Sequence, residues 1–160
     1  MESENKEESL RKNLGNFSSI ICLKALIVGL EDVLGEKGAR ANLVLAGRHR
    51  GRDIVKSLGY SKTDSPLEEW TSAVKAAIGE TGTRLCEIDK VEPDGETIRI
   101  YLSETVCSSG EEVGSSRQLT FTLGAIWGAV EEALDKKFIG KQTGSILRGQ
   151  DYDIVELQER

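Results

Sequence analysis

The chain has 160 residues, 38% hydrophobic and 30% charged, enough for one globular domain with a buried core. Its 21 Lys and Arg against 27 Asp and Glu leave a formal charge of -6, which argues against a dedicated nucleic-acid binder. Cys22, Cys86 and Cys107 are odd in number and too widely spaced for a metal-ligand motif, and they point to a reducing, cytoplasmic setting. The opening MESENKEESLRKN has mixed charge and no apolar core, and the longest apolar run is too short to span a bilayer. Residues 1–16 are therefore expected as a flexible segment ahead of a single domain over 17–160.

In chain order, residues 17–34 set Ile20, Leu23, Leu26, Ile27, Leu30, Val33 and Leu34 at steps of three and four, which predicts an amphipathic helix. Gly35 and Gly38 are placed to end it. A second helix is expected over 41–58, with Val44, Gly47, Gly51, Ile54, Val55 and Leu58 on its inner stripe. Arg48, Arg52 and Lys56 fall together on another face. Ser65-Pro66-Leu67-Glu68 reads as a capping box with proline at the first helical position, opening a third helix that buries Leu67, Trp70, Val74 and Ile78. The helical period then gives way to alternation, in which Ile98, Ile100 and Leu102 against Thr97, Arg99 and Tyr101 predict a half-buried strand.

Pro93-Asp94-Gly95 supplies a tight turn and makes 84–92 the hairpin partner of that strand. Residues 108–116 are polar and expected as a mobile loop. A fourth helix over 123–134 has Ile126, Trp127, Val130 and Leu134 on its apolar side and Gly124 and Gly128 on an adjacent strip. Residues 138–147 and 152–157 are the last strands. Elements segregated in this way predict an α+β domain, a four-stranded antiparallel sheet with helices packed on one face.

Two glycine pairs at four-residue spacing, Gly47/Gly51 and Gly124/Gly128, stand inside these helical stripes. Glycine costs about 1 kcal/mol against alanine inside a helix. Each pair therefore marks a face that a neighbouring backbone, or a flat ligand, approaches closely. Trp127, between the second pair, is either core or the wall of a ring-binding slot.

Charge is unevenly spread as well. Residues 36–56 hold Lys37, Arg40, Arg48, Arg50, Arg52 and Lys56 against Glu36 and Asp53, while 87–112 hold eight acids against Lys90 and Arg99. Such poles are either two oppositely charged solvated faces or a device that steers an anionic ligand or aligns two subunits, and the arginines suit a propionate, a phosphate or an acidic peptide through bidentate hydrogen bonds.

Catalytic patterns are missing. The adjacent acids Glu31/Asp32 and Glu131/Glu132 do not converge on one point and read as solvated. No serine sits in a nucleophile elbow, and residues 29–38 carry neither a dinucleotide fingerprint nor a phosphate loop. His49, among arginines, reads as a surface residue, and Cys22 as a small hydrophobe near the buried stripe. No enzyme is expected.

Three stretches carry a family resemblance: Ala25-Leu26-Ile27-Val28-Gly29-Leu30-Glu31-Asp32-Val33-Leu34-Gly35, Ala46-Gly47-Arg48-His49-Arg50-Gly51, and Leu123-Gly124-Ala125-Ile126-Trp127-Gly128-Ala129-Val130 before a terminal hairpin. In this order they resemble a vinyl-4-reductase-type, or hydrocarbon-binding, domain, similar in fold to the small TRAPP vesicle-tethering subunits. The resemblance implies a helix-mediated homodimer holding an apolar or tetrapyrrole-like molecule. Its cyanobacterial members suggest pigment handling or photosystem assembly. The family's cysteines around the last hairpin are absent here, so no metal is expected and no cofactor is required.

The expected ligand site comprises Leu26, Ile27, Leu30, Gly47, Arg48, Gly51, Arg52, Gly124, Trp127 and Gly128. The other reading is a dimeric scaffold that docks a protein partner through an exposed apolar face.

Overall fold

A computed structural model describes residues 9–160, so the first half of the segment expected to be flexible lies outside the described residues. Helix α1 runs over Ile20–Ser57, 38 residues, and the Ser19 hydroxyl caps it by accepting from the Ile21 amide at 3.2 Å. In place of two separate helices the chain makes one with a kink, because only Gly35 leaves helical geometry, at φ 72° and ψ 164°. Glycine reaches that conformation cheaply, and the helix formers Glu36, Lys37, Ala39 and Arg40 restart the helix at once, carrying Gly38 along. Residues 20–34 thus form an arm set at an angle to the rest of α1.

Helix α2 spans Leu67–Ile78 and begins without a side-chain cap. The capping box does not form, because extended Pro66 (ψ 145°) occupies the cap position itself and leaves Ser65 one residue too far back. The Ser65 hydroxyl donates instead to the Glu69 carboxylate at 3.2 Å.

Strands β1 (Glu87–Asp94) and β2 (Thr97–Ser103) make the expected hairpin, and helix α3 covers Phe121–Leu134. Strand β3 (Phe138–Gly144) ends in a short turn of 3-10 helix over Ile146–Arg148 before β4 (Asp153–Glu159). The sheet is antiparallel in the order β1-β2-β4-β3. Alternation buries Ile98, Ile100, Leu102, Val155 and Leu157 beneath the helices. The other face is polar: Glu156 pairs with Arg99 and with Lys141, each at 3.0 Å, and the Tyr101 hydroxyl donates to Glu92 at 2.7 Å. One solvated face is the usual condition of an antiparallel sheet.

The arm departs from its expected packing. Ile27 is fully buried, yet Ile21 is 75%, Leu26 56% and Val33 81% exposed, and Cys22 is exposed as well. Of its charges, Lys24 turns inward to the Cys107 carbonyl (2.9 Å) and Glu111 (2.7 Å), and Glu31 pairs with Arg117. The polar loop over 108–116 is therefore tied down, with Glu111 bridging Lys24 and Arg117 and the Gly114 amide donating to the Leu147 carbonyl at 2.7 Å.

The two glycine pairs meet each other. A Cβ added at Gly47 would lie 2.9 Å from the Ala125 nitrogen, and one at Gly51 2.7 Å from that of Ala129. From the other side, a Cβ at Gly124 would lie 2.9 Å from the Arg48 nitrogen and one at Gly128 2.8 Å from the Arg48 Cα. The backbones of α1 and α3 occupy the space a side chain would need. Among the described residues no helix is long and apolar enough to cross a membrane.

This crossing separates glycines that are required from one that is not. Gly51→Ala must push two backbones apart and is expected to cost about 3 kcal/mol, whereas Gly29→Ala, where an added Cβ meets nothing within 4 Å, should gain about 0.5–1 kcal/mol of helix propensity. Urea denaturation of the two variants checks this; equal effects would remove the close crossing as the reason for the pair.

Candidate functional site

The structure gathers seven of the ten expected site residues around one point. Gly47, Gly51, Gly124 and Gly128 are the crossing itself, with Arg48, Arg52 and Trp127 beside it. Leu26, Ile27 and Leu30 stand on the arm beyond Gly35, with roughly 25 Å of helix between Leu30 and Gly47.

What joins the flanking residues is Glu131, which the sequence reading placed among solvated acids. Its side chain is only 3% exposed. Arg48 Nη2 donates to it at 2.5 Å, Arg52 Nη2 at 3.0 Å, Trp127 Nε1 at 3.1 Å and the Phe138 amide at 3.1 Å. Spacing explains the convergence. Arg48 and Arg52 are one turn apart on α1, Trp127 is one turn before Glu131 on α3, and Phe138 begins β3. Glycine-close packing brings all of them within reach of one carboxylate.

Burial by itself would raise the Glu131 carboxyl. The hydrogen bonds from Arg48, the Phe138 amide and Arg52 outweigh burial and hold it below its ordinary value of 4.5. The Arg48 guanidinium also lies 4.4 Å from the centre of the Trp127 ring, a cation–π contact. Its Nε is buried without a hydrogen-bond partner. On β3, a Cβ at Gly140 would lie 2.6 Å from the Trp127 ring, so the strand too lies against the indole.

A groove of about 540 Å3 opens beside this cluster. Its apolar lining is Ala41, Val44, Leu45, Leu123 and Trp127, and its cations are Lys37, Arg40 and Arg48. Most of the basic segment's charge therefore faces a concave surface or the buried Glu131. His49 is exposed, as expected of it.

Reactive groups lie elsewhere. Cys86 and Cys107 are buried, and burial pushes the Cys86 thiol up to about 12, so it stays protonated at neutral pH. Buried Asp153 accepts from the Thr105 hydroxyl at 2.7 Å and the Ile146 amide at 3.2 Å, which fixes the start of β4. Among the described residues no three His, Cys, Asp or Glu side chains gather as a metal site.

A group whose folded carboxyl lies below its unfolded value contributes stability at higher pH and loses it as pH falls through the folded value. Glu131→Gln leaves two guanidinium groups uncompensated and is expected to cost about 3 kcal/mol near pH 7. That deficit should shrink as pH falls from 4.5 through the lower folded value, because the unfolded carboxyl takes up its proton before the native one does. Denaturation curves of both proteins from about pH 7 to about pH 3 test this; a constant deficit would show that charge is not its origin.

Neither a protein-family model nor a curated protein matches the sequence. Solved structures of similar fold do. The phenol-responsive sensory domain of the transcription activator PoxR, solved with phenol, aligns over 90% of this chain and 76% of its own at 12% identity and a TM-score of 0.71. A trafficking protein particle complex subunit 3 from Naegleria fowleri, covalently bound to palmitic acid, aligns over 89% of this chain and 97% of its own at 13% identity, TM-score 0.52. A vinyl-4-reductase family protein from Methanocaldococcus jannaschii covers 92% of this chain and 85% of its own at 15% identity, TM-score 0.49. At these identities the likeness to the first two is one of fold alone.

Proposed function

We propose that this chain is a non-enzymatic binding module for a small, largely apolar molecule, held in the groove beside the α1/α3 crossing. The groove carries the reading. Its volume of about 540 Å3 falls in the range of small-molecule sites, and its lining joins aliphatic side chains and an indole to a few cations. No acid, serine, cysteine or histidine lines it, which favours holding a molecule over transforming one. Two proteins of similar fold add support, since one was solved with phenol and the other carries palmitic acid.

In this reading Arg48 and Trp127 form part of the groove wall, and the four glycines act by bringing its two helices together. Leu26, Ile27 and Leu30 would serve the arm instead. A tetrapyrrole, and with it pigment handling or photosystem assembly, is the finer form of the proposal, because such a molecule combines an apolar ring with carboxylates.

Calorimetric titration with dodecanoate, protoporphyrin IX and phenol tests the reading. At least one is expected to bind with a dissociation constant of about 1–100 µM. Leu45→Glu places a charge in the groove at a side chain that is 52% exposed, so the fold survives while affinity drops at least about tenfold. Failure of all three to bind, or equal binding by Leu45→Glu, would sink it.

One observation favours a second reading, a scaffold that works as a dimer. The arm carries apolar side chains on both sides: Ile27 is buried against the body, where Lys24 and Glu31 also turn, while Ile21, Leu26 and Val33 face outward. A helix with apolar side chains on nearly every side is ordinarily covered, and a second copy of the arm would cover it. Sedimentation at roughly 50 µM protein should give a dimer that Val33→Glu converts to monomer. A wild-type monomer would remove this reading and leave the groove untouched.

A further inference from the structure

The four cations nearest the groove and the crossing are not equivalent. Arg48 and Arg52 are both committed to Glu131, at 2.5 and 3.0 Å, and Arg48 is pressed against Trp127 as well. Recruiting either for a ligand would strip a buried carboxylate of its compensation, which is costly. Lys37 and Arg40 stand apart. Lys37 is exposed with no partner among the described residues, and Arg40 donates only to the neutral side-chain oxygen of Gln118. Both line the groove, and at i and i+3 on α1 they lie on one face.

Resting on the ligand-binding reading, we propose that the groove selects an apolar molecule bearing a carboxylate, and that Lys37 and Arg40, rather than the Arg48/Arg52 pair, receive the acid. The apolar body lies along Val44, Leu45 and Leu123. Its carboxylate ends where two cations of opposite reach meet, a point-like ammonium and a forked guanidinium. Replacing the neutral oxygen of Gln118 by a carboxylate gives Arg40 a hydrogen bond in which both partners are charged. Lys37 gains a first partner. Lys37 and Arg40 thus bring two cations to the groove, while Arg40 also lines a neighbouring recess with Glu31, Asp32 and Glu36.

The shared chemistry, an acid on an apolar body, belongs both to fatty acids and to tetrapyrrole propionates. Two matched pairs of probes separate the acid from the body and one source from the other: dodecanoate with dodecan-1-ol, and protoporphyrin IX with its dimethyl ester. Each is titrated calorimetrically into wild type, Lys37→Gln/Arg40→Gln and Lys56→Gln. Lys56 is an exposed cation further along α1, and its removal controls for loss of a single positive charge outside the groove lining.

Wild type is expected to prefer the acid of at least one pair by about tenfold. The double variant should lose that preference while the neutral partner's affinity changes less than about twofold, and Lys56→Gln should behave as wild type. Should the double variant fold poorly, Lys37→Gln alone, altering an exposed side chain, is expected to lose about threefold for the acid only. An acid preference that survives in the double variant overturns the role of Lys37 and Arg40 and leaves the ligand-binding reading standing. Binding of neither member of either pair to wild type overturns both.

Discussion

Contact between two helix backbones governs what the rest of this molecule can do. With no side chain between them at Gly47, Gly51, Gly124 and Gly128, α1 and α3 meet more closely than ridges packed into grooves allow. The side chains flanking the glycines then have little choice of place. Val44 and Arg48 on one helix and Leu123 and Trp127 on the other must splay out along the rim of the contact, and there they form the walls of the groove. The groove therefore lies beside the crossing and draws its lining from both helices.

Glu131 fixes how the crossing is set. A buried carboxylate between two guanidinium groups contributes little net stability against a well-packed apolar alternative, because desolvation offsets most of the attraction. Its four donors come from α1, α3 and the first residue of β3, so sliding either helix by a turn would break several bonds at once. The glycines allow the helices to approach; the carboxylate makes one register better than its neighbours. That division of labour also accounts for Arg48 being held flat against Trp127 rather than reaching into solvent.

The legible parts of this fold were those whose signal is local and periodic. Alternation at Ile98, Ile100 and Leu102 placed β2, and the glycine spacing placed a close approach on the correct helices. Gly35 was read correctly as a break in the helix, yet its left-handed φ of 72° turned α1 without ending it, since termination depends on the residues that follow. Glu131 was misread because adjacent acids on a helix look solvated. Its position carried a signal nonetheless: three residues after Gly128 and four after Trp127, it lies on the strip that faces α1. The arm illustrates the opposite limit, for its spacing promised a buried stripe at Leu26 and Val33, and only the tertiary structure shows which face the body covers.

Residues 111–118 touch both surfaces on which the functional readings rest. Glu111 and Arg117 grip the arm through Lys24 and Glu31, and Gln118, next in sequence, accepts from Arg40 at the rim of the groove. The Arg40 contact and the arm clamp thus sit on adjacent residues of one segment. A ligand shifts an equilibrium between two arrangements only by the difference in its affinity for them. In the acid-binding proposal it is the carboxylate, by way of Arg40 and Gln118, that would reach the segment clamping the arm.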